Sequence, residues 1–146
     1  MLLGKFYKNE KSFKADFIKW CRLAHMFVTP IQTRTIPGVP DLFISTARGG
    51  LWVEVKYVDH PFHGYAEHKI PFRPGQQGWA LLNYKACRST EAVICVVCFQ
   101  NEVYAFQQTK LWDNNIVPAS EFKSINIDEQ ECCLSLVGLG RGHGVK

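Results

Sequence analysis

Pro40-Asp41-Leu42-Phe43-Ile44-Ser45, then Thr46-Ala47-Arg48-Gly49-Gly50, then Leu51-Trp52-Val53-Glu54-Val55-Lys56-Tyr57-Val58 is the stretch whose reading decides the fold. Two runs of apolar and β-branched residues flank a turn-rich connection, the pattern of a β-hairpin with strands over Leu42–Ser45 and Leu51–Val58. Alternate side chains of a strand share a face, so Glu54 and Lys56 project together while Val53, Val55 and Tyr57 project the other way. An even-numbered hairpin loop puts Asp41 on the face of Glu54 and Lys56, and a loop of about four residues sets it opposite Glu54. Two carboxylates and an ammonium then converge.

Upstream of the hairpin, Phe13, Phe17, Cys21, Ala24 and Val28 follow helical spacing, which predicts a first helix between Asn9 and Val28 with Asn9 as its N-cap. Thr29 to Pro40 carries three prolines and a glycine and reads as a loop that delivers the chain to Asp41. Downstream, the polar segment Asp59 to Pro74, with His60, His63 and His68, reads as a long exposed loop, and loops of this length are often functional. Pro74 opens a second helix from Gln76 to about Cys87. Ala92–Phe99 and Glu102–Phe106 pair as strands around Gln100 and Asn101, Thr109–Asn115 forms one or two helical turns, and Cys132–Val137 forms a last short strand. The expected architecture is α/β, a mixed central sheet flanked by helices. The expected organisation is one domain over residues 1–137, followed by a mobile, glycine-rich basic tail over 138–146.

Composition bounds the function. At 146 residues, 47% hydrophobic and 21% charged, the chain has the balance of a folded domain with a real core. No run of about 20 apolar residues offers a membrane span and the start has no signal-peptide core, so the reading is a soluble, non-secreted, cytoplasmic protein that engages no membrane. A net charge of +4 is a mild bias toward anionic partners. Of the six cysteines, Cys95 and Cys98 form a CxxC, but positions three apart on a strand face opposite ways. Cys132 and Cys133 are adjacent and diverge, and Cys21 and Cys87 sit in helical patterns, so all six read as reduced packing residues.

The converging trio has the chemistry of phosphodiester hydrolysis. Hard carboxylate oxygens from Asp41 and Glu54 suit Mg²⁺, which polarises a phosphate and acidifies a bound water. Lys56 suits the task of orienting or deprotonating that water, or of stabilising charge on the phosphate. The bland alternative is an ordinary charge pair on a solvated strand face. Glu10 lies on the apolar side of the first helix, where a carboxylate is costly without a partner, although a glutamate in a first turn also suits the helix dipole.

The string Gly38-Val39-Pro40-Asp41-Leu42-Phe43 followed by Trp52-Val53-Glu54-Val55-Lys56 resembles the signature of the PD-(D/E)XK nuclease superfamily. In layout it is most similar to VRR-NUC domains and archaeal-type Holliday-junction resolvases. These families place a glutamate early in a first helix, matching Glu10, and a glutamine opening the helix after the core hairpin, matching Gln76 within Arg73-Pro74-Gly75-Gln76-Gln77-Gly78-Trp79. The resemblance covers about Glu10 to Phe106. It implies a restriction-endonuclease-like core and a metal-dependent endonuclease acting on DNA, branched or junction DNA foremost. By it Asp41, Glu54 and the Val55 carbonyl ligate Mg²⁺, replaceable by Mn²⁺, and Glu10 completes the site through water. Lys56 serves the attacking water and Gln76 holds phosphate or water, with the adjacent Gln77 as the other candidate.

The basic residues Arg34, Arg48, Lys69 and Arg73 are candidate DNA contacts, with Lys85 and Arg88 nearby, since such side chains position a nucleic acid through its phosphates. His60 and His63 have a spacing that zinc can use, yet a DNA-facing loop suits them better. Segments Pro61–Tyr65 and Lys69–Arg73 could insert beside a distorted duplex. A homodimer that pairs two sites is the implied assembly, with Phe62, Trp112 or Ile116 read as exposed contacts. Nothing resembles a helix-turn-helix or zinc finger, which favours recognition by DNA shape. Two rivals stand: a catalytically silent nucleic-acid-binding module of the same fold, and a nuclease acting on RNA.

Overall fold

The computed structural model of the chain describes residues 5–32, 35–46, 49–87 and 91–125. The expected strand Cys132–Val137, the tail 138–146 and the cysteines Cys132 and Cys133 lie outside these residues.

Helix α1 spans Glu10–Leu23 and starts where expected. The Asn9 side chain accepts from the Ser12 N–H at 2.9 Å, a cap worth about 1 kcal/mol. Its stripe of Phe13, Phe17, Trp20 and Cys21 is buried. The helix ends five residues before Val28. His25 takes φ 64°, the Met26 N–H bonds back to the Cys21 carbonyl and the His25 N–H to the Arg22 carbonyl, which together close a Schellman turn. Val28, which continued the helical spacing, instead lies in strand β1, Phe27–Pro30. Periodicity alone could not show this, because a buried strand residue and a buried helix residue can occupy the same phase.

Strands β2 (Leu42–Thr46) and β3 (Gly49–Val58) form the expected hairpin, with Thr46 paired to Gly49 across two residues, 47 and 48. A short strand β4 (Glu67–Lys69) and helix α2 (Gln76–Cys87) lead to β5 (Glu91–Phe99), which pairs with β3 in parallel. Strand β6 (Glu102–Gln107) returns antiparallel to β5 around Gln100 and Asn101, as its turn residues predict. Strands β7 (Ile116–Pro118) and β8 (Lys123–Ser124) complete the described chain. The main sheet has the order β1-β2-β3-β5-β6-β8, and β4 and β7 form a separate two-stranded ribbon. The fold is α/β with a mixed six-stranded sheet flanked by helices.

Strand alternation divides the interior into two cores. Leu42, Ile44, Val53, Val55, Ile94 and Val96 pack with α1, whereas Cys95, Val97 and Phe99 pack with Ile70, Phe106 and Phe122 on the other face. Cys95 and Cys98 fall in different cores, as opposite faces require, and Cys21, Cys95 and Cys98 are buried thiols. On the second face, Trp79 of α2 stands edge-on to Trp52 of β3 at 5.1 Å. No helix among the described residues is long and apolar enough to cross a membrane.

The segment Asp59–Pro74 is not simply an exposed loop. It contributes β4, buries His68 and Ile70, and stacks Phe62 on Tyr104 at 3.9 Å. Of the residues read from sequence as exposed interface contacts, Trp112 is buried in the second core, Phe62 packs half-buried against it, and Ile116 is half-buried in β7. Aromatic residues flanked by polar ones look solvent-facing in sequence, but here they cap a sheet face. The helix expected in Thr109–Asn115 is reduced to a 3₁₀ turn, Asp113–Asn115, with Asn114 and Asn115 both at positive φ.

One backbone contact ties the loop before Asp41 to the start of α2. Gly38 and Gly75 both have φ +87°, and a Cβ on Gly38 would lie 2.1 Å from the Gly75 carbonyl oxygen. A Cβ on Gly75 would meet nothing nearer than 3.5 Å. Gly75→Ala should therefore lose about 1 kcal/mol in urea denaturation through its left-handed backbone alone. Gly38→Ala should lose clearly more, about 2 kcal/mol or above, because backbone must also move. Equal losses would show that the two loops do not touch.

Candidate active site

The β2–β3 register pairs Leu42 with Val53 and Phe43 with Trp52. Continued by one residue, it sets Asp41 opposite Glu54, the alignment anticipated from the hairpin. Asp41 lies just before β2, and its carbonyl accepts from the Ile31 N–H at 2.8 Å. Its carboxylate is fastened from two sides: Oδ2 accepts from the Val55 N–H at 3.0 Å, and Oδ1 pairs with Lys14 Nζ at 3.1 Å. The β-ladder itself thus aims the Asp41 side chain at the middle of β3.

Glu54 and Lys56 share a face of β3, and both are buried, at 4% and 2% exposure. Glu54 Oε2 accepts from Gln76 Nε2 at 2.8 Å and pairs with Lys56 Nζ at 3.2 Å, while Oε1 has no hydrogen-bond partner. Burial, then the neighbouring Asp41 charge, push the Glu54 carboxyl up to about 7, with Lys56 opposing them. Beneath the site, Cys95 is paired with Glu54 in the parallel register, and burial followed by the Glu54 charge raises its thiol well above the usual range.

Gln76 opens α2, and its Oε1 accepts from the Arg73 N–H at 2.8 Å. A donor at Arg73 demands the oxygen there, so the amide NH₂ necessarily faces Glu54. Gln77 points elsewhere. Its Oε1 accepts from the Trp112 N–H at 2.6 Å and its Nε2 donates to Asn115 at 2.7 Å, which fixes the Trp112 loop to α2. Of the two adjacent glutamines, Gln76 is the one that meets the carboxylates.

The structure brings together Asp41, Glu54, Lys56 and Gln76. Glu10 is half-buried in the first turn of α1 and its carboxylate has no ion pair or hydrogen bond among the described residues, though its charge is felt at Cys95 together with those of Glu54 and Asp41. Arg73 is exposed and lines a groove beside Asp41. Lys69 is exposed on β4, away from these contacts, and Arg34, Arg48 and Arg88 lie outside the described residues. His60, His63 and His68 stack in a group with Phe62 and Phe99, an arrangement of packing. Among the described residues no group of three or more His, Cys, Asp or Glu side chains is placed to hold a metal.

Sequence reading missed Lys14. It follows Glu10 by one helical turn, so the two share a face, and that spacing was the available signal. Its destination at Asp41 depends on how α1 crosses the sheet.

Two carboxylates face each other, one oxygen between them is buried without a partner, and their repulsion is only partly offset by lysines. That donor set fits a hard divalent cation, for which carboxylate oxygens are the ordinary protein ligands. Asp41 and Glu54 would supply the protein oxygens.

No family model matches this chain, and no curated protein matches it. Among solved structures it is similar to Hjc of Archaeoglobus fulgidus, a Holliday junction resolvase from an archaeal hyperthermophile, with 13% identity and a TM-score of 0.47. That match covers 66% of this chain and 75% of the other.

The Glu54 shift has a consequence for stability. Its folded value of about 7 exceeds its ordinary value of 4.5, so the fold binds the proton more tightly than the unfolded chain does. This contribution is fully present below 4.5 and is lost as pH rises through about 7. Metal-free protein in EDTA should lose up to roughly 3 kcal/mol from this group between those limits. Glu54→Gln should flatten that dependence, as read by denaturant titrations at pH 5 and pH 8.

Proposed function

We propose that this chain is a Mg²⁺-dependent endodeoxyribonuclease of the PD-(D/E)XK type, selective for branched DNA. Its motif layout resembles VRR-NUC domains and archaeal-type Holliday-junction resolvases. The observation that carries the proposal is the buried pairing of Glu54 with Lys56 directly opposite Asp41, with Glu54 Oε1 left without a partner. A decorative surface charge pair would be solvated, whereas burying two ions and leaving a third charge beside them is unfavourable unless the arrangement serves something else.

In this reading Asp41, Glu54 and the Val55 carbonyl would hold the cation, and Glu10 would reach it through water. When bound, the cation polarises the scissile phosphate and acidifies a water. Lys56 Nζ, held in place by Glu54, would orient the attacking water or stabilise negative charge developing on the phosphate. Gln76 fixes the Glu54 carboxylate through the amide geometry set by Arg73, and Lys14 neutralises Asp41. Lys69 and Arg73 contact phosphates. A dimer pairing two sites belongs to the same reading, built on surfaces other than Phe62 and Trp112.

Lys56→Met should lower DNA cleavage by at least about a hundredfold while calorimetry shows Mn²⁺ or Mg²⁺ bound as tightly as before, or more so. Asp41→Asn should also abolish cleavage but weaken the metal, and it keeps an oxygen for the Val55 N–H, so the fold survives. Gln76→Ala should slow the reaction more than Gln77→Ala. Lys56→Met cleaving at the wild-type rate would sink the proposal. Competition among branched DNA, duplex, single strands and RNA separates it from an RNA nuclease, and absence of any cleavage in Mg²⁺ and Mn²⁺ would favour a silent binding module.

A further inference from the structure

Beside the carboxylates the surface opens into a groove of about 350 Å³, lined by Asp41, Gln76 and Arg73 on its polar side and by Ile36, Pro37 and Pro74 among its apolar walls. Four features define what it can hold. It shares Asp41 and Gln76 with the candidate active site, so an occupant of the groove is continuous with a phosphate held by a cation at Asp41. Its size is at the lower end of the range for small-ligand pockets, about 300–1,000 Å³, which admits one nucleotide unit and excludes a duplex. Its apolar wall is uncovered: Ile36 is 56% exposed at the lip, next to a highly charged centre. The floor is preformed, because Gly38 and Gly75 lock the two wall-bearing loops against each other.

A sugar-phosphate backbone on its own would use the polar lining, Gln32 and Arg73 included, and leave the exposed Ile36 side chain against water. A paired base is stacked within its helix and cannot enter. The chemistry left is a flat, apolar-faced group attached to a phosphate. We infer that this groove seats the base and sugar of one unpaired nucleotide flanking the scissile phosphate, with Arg73 on the adjoining phosphate. The inference rests on the nuclease reading above and gives it a physical basis for structure selectivity. Withdrawing a base from a duplex is unfavourable by a few kcal/mol, and a nucleotide already unpaired at a branch, flap or bulge avoids that.

The test measures binding of the full chain in Ca²⁺ by fluorescence anisotropy. Three DNAs are compared: a paired duplex, the same duplex with one unpaired 2-aminopurine, and one with an unpaired abasic nucleotide. The 2-aminopurine DNA should bind about tenfold tighter than the duplex, with a change in its own fluorescence, and the abasic DNA should lose most of that gain. Ile36→Ser and Arg73→Gln should each bring the ratio toward one, while Leu82→Ser, an exposed position on α2 away from the groove, keeps the wild-type ratio. Equal affinity for base-bearing and abasic DNA would mean that the protein senses flexibility and would overturn the inference. An unaltered ratio in Ile36→Ser would do the same. Failure of the nuclease reading looks different: no DNA is cut in Mg²⁺, whatever the binding ratios.

Discussion

The Val55 N–H donates to Asp41 Oδ2, and the arrangement of the site follows from that bond. Asp41 stands one residue outside the β2–β3 ladder, where its backbone turns away to accept from Ile31. A buried N–H in the middle of β3 would be left orphaned there, a loss of about 1–3 kcal/mol, if the side chain did not replace the missing carbonyl. The aspartate is therefore held by the same requirement that holds a β-sheet together. Its other oxygen is left to face Lys14 and its charge to face Glu54.

From that anchor the electrostatics are built outward in opposed pairs. Asp41 is balanced by Lys14 from α1, and Glu54 by Lys56 from its own strand. The balance is incomplete, as the raised Glu54 carboxyl and its unpartnered oxygen show. Well-packed apolar side chains would stabilise these positions at least as well as ions do, so the polar group is retained at some expense of stability. Stability is recovered nearby. On one side of the sheet the aromatic stripe of α1 packs on aliphatic strand residues, and on the other Phe99, Phe106 and Phe122, with Phe62 packed against them, form an aromatic cluster.

Rigid elements supply the remaining precision. Gln76 is oriented by a backbone donor, Gln77 straps the Trp112 loop to α2, and Gly38 meets Gly75 backbone to backbone. Residues contributed by α1, the β2–β3 hairpin and the start of α2 are thereby held in one place, and the groove lined by Ile36 and Arg73 is shaped by the same loops.

The sequence by itself determined the hairpin, the common face of Asp41, Glu54 and Lys56, the extent of α2, the β5–β6 turn and the Asn9 cap. Each of these is set by local physics: a period of two, a turn of defined composition, a side chain bonding its own backbone. Only the tertiary structure decided that Val28 is strand and not helix, that Trp112 is core with Phe62 packed against it, and that Gln76 rather than Gln77 meets Glu54. It alone placed Lys14 on Asp41. These outcomes depend on contacts between residues far apart in the chain, and periodicity carries no information about which distant surface an amphipathic face will meet. A lysine on a helix face looks the same in sequence whether it reaches water or a carboxylate, and the crossing of α1 over the sheet is what distinguishes the two.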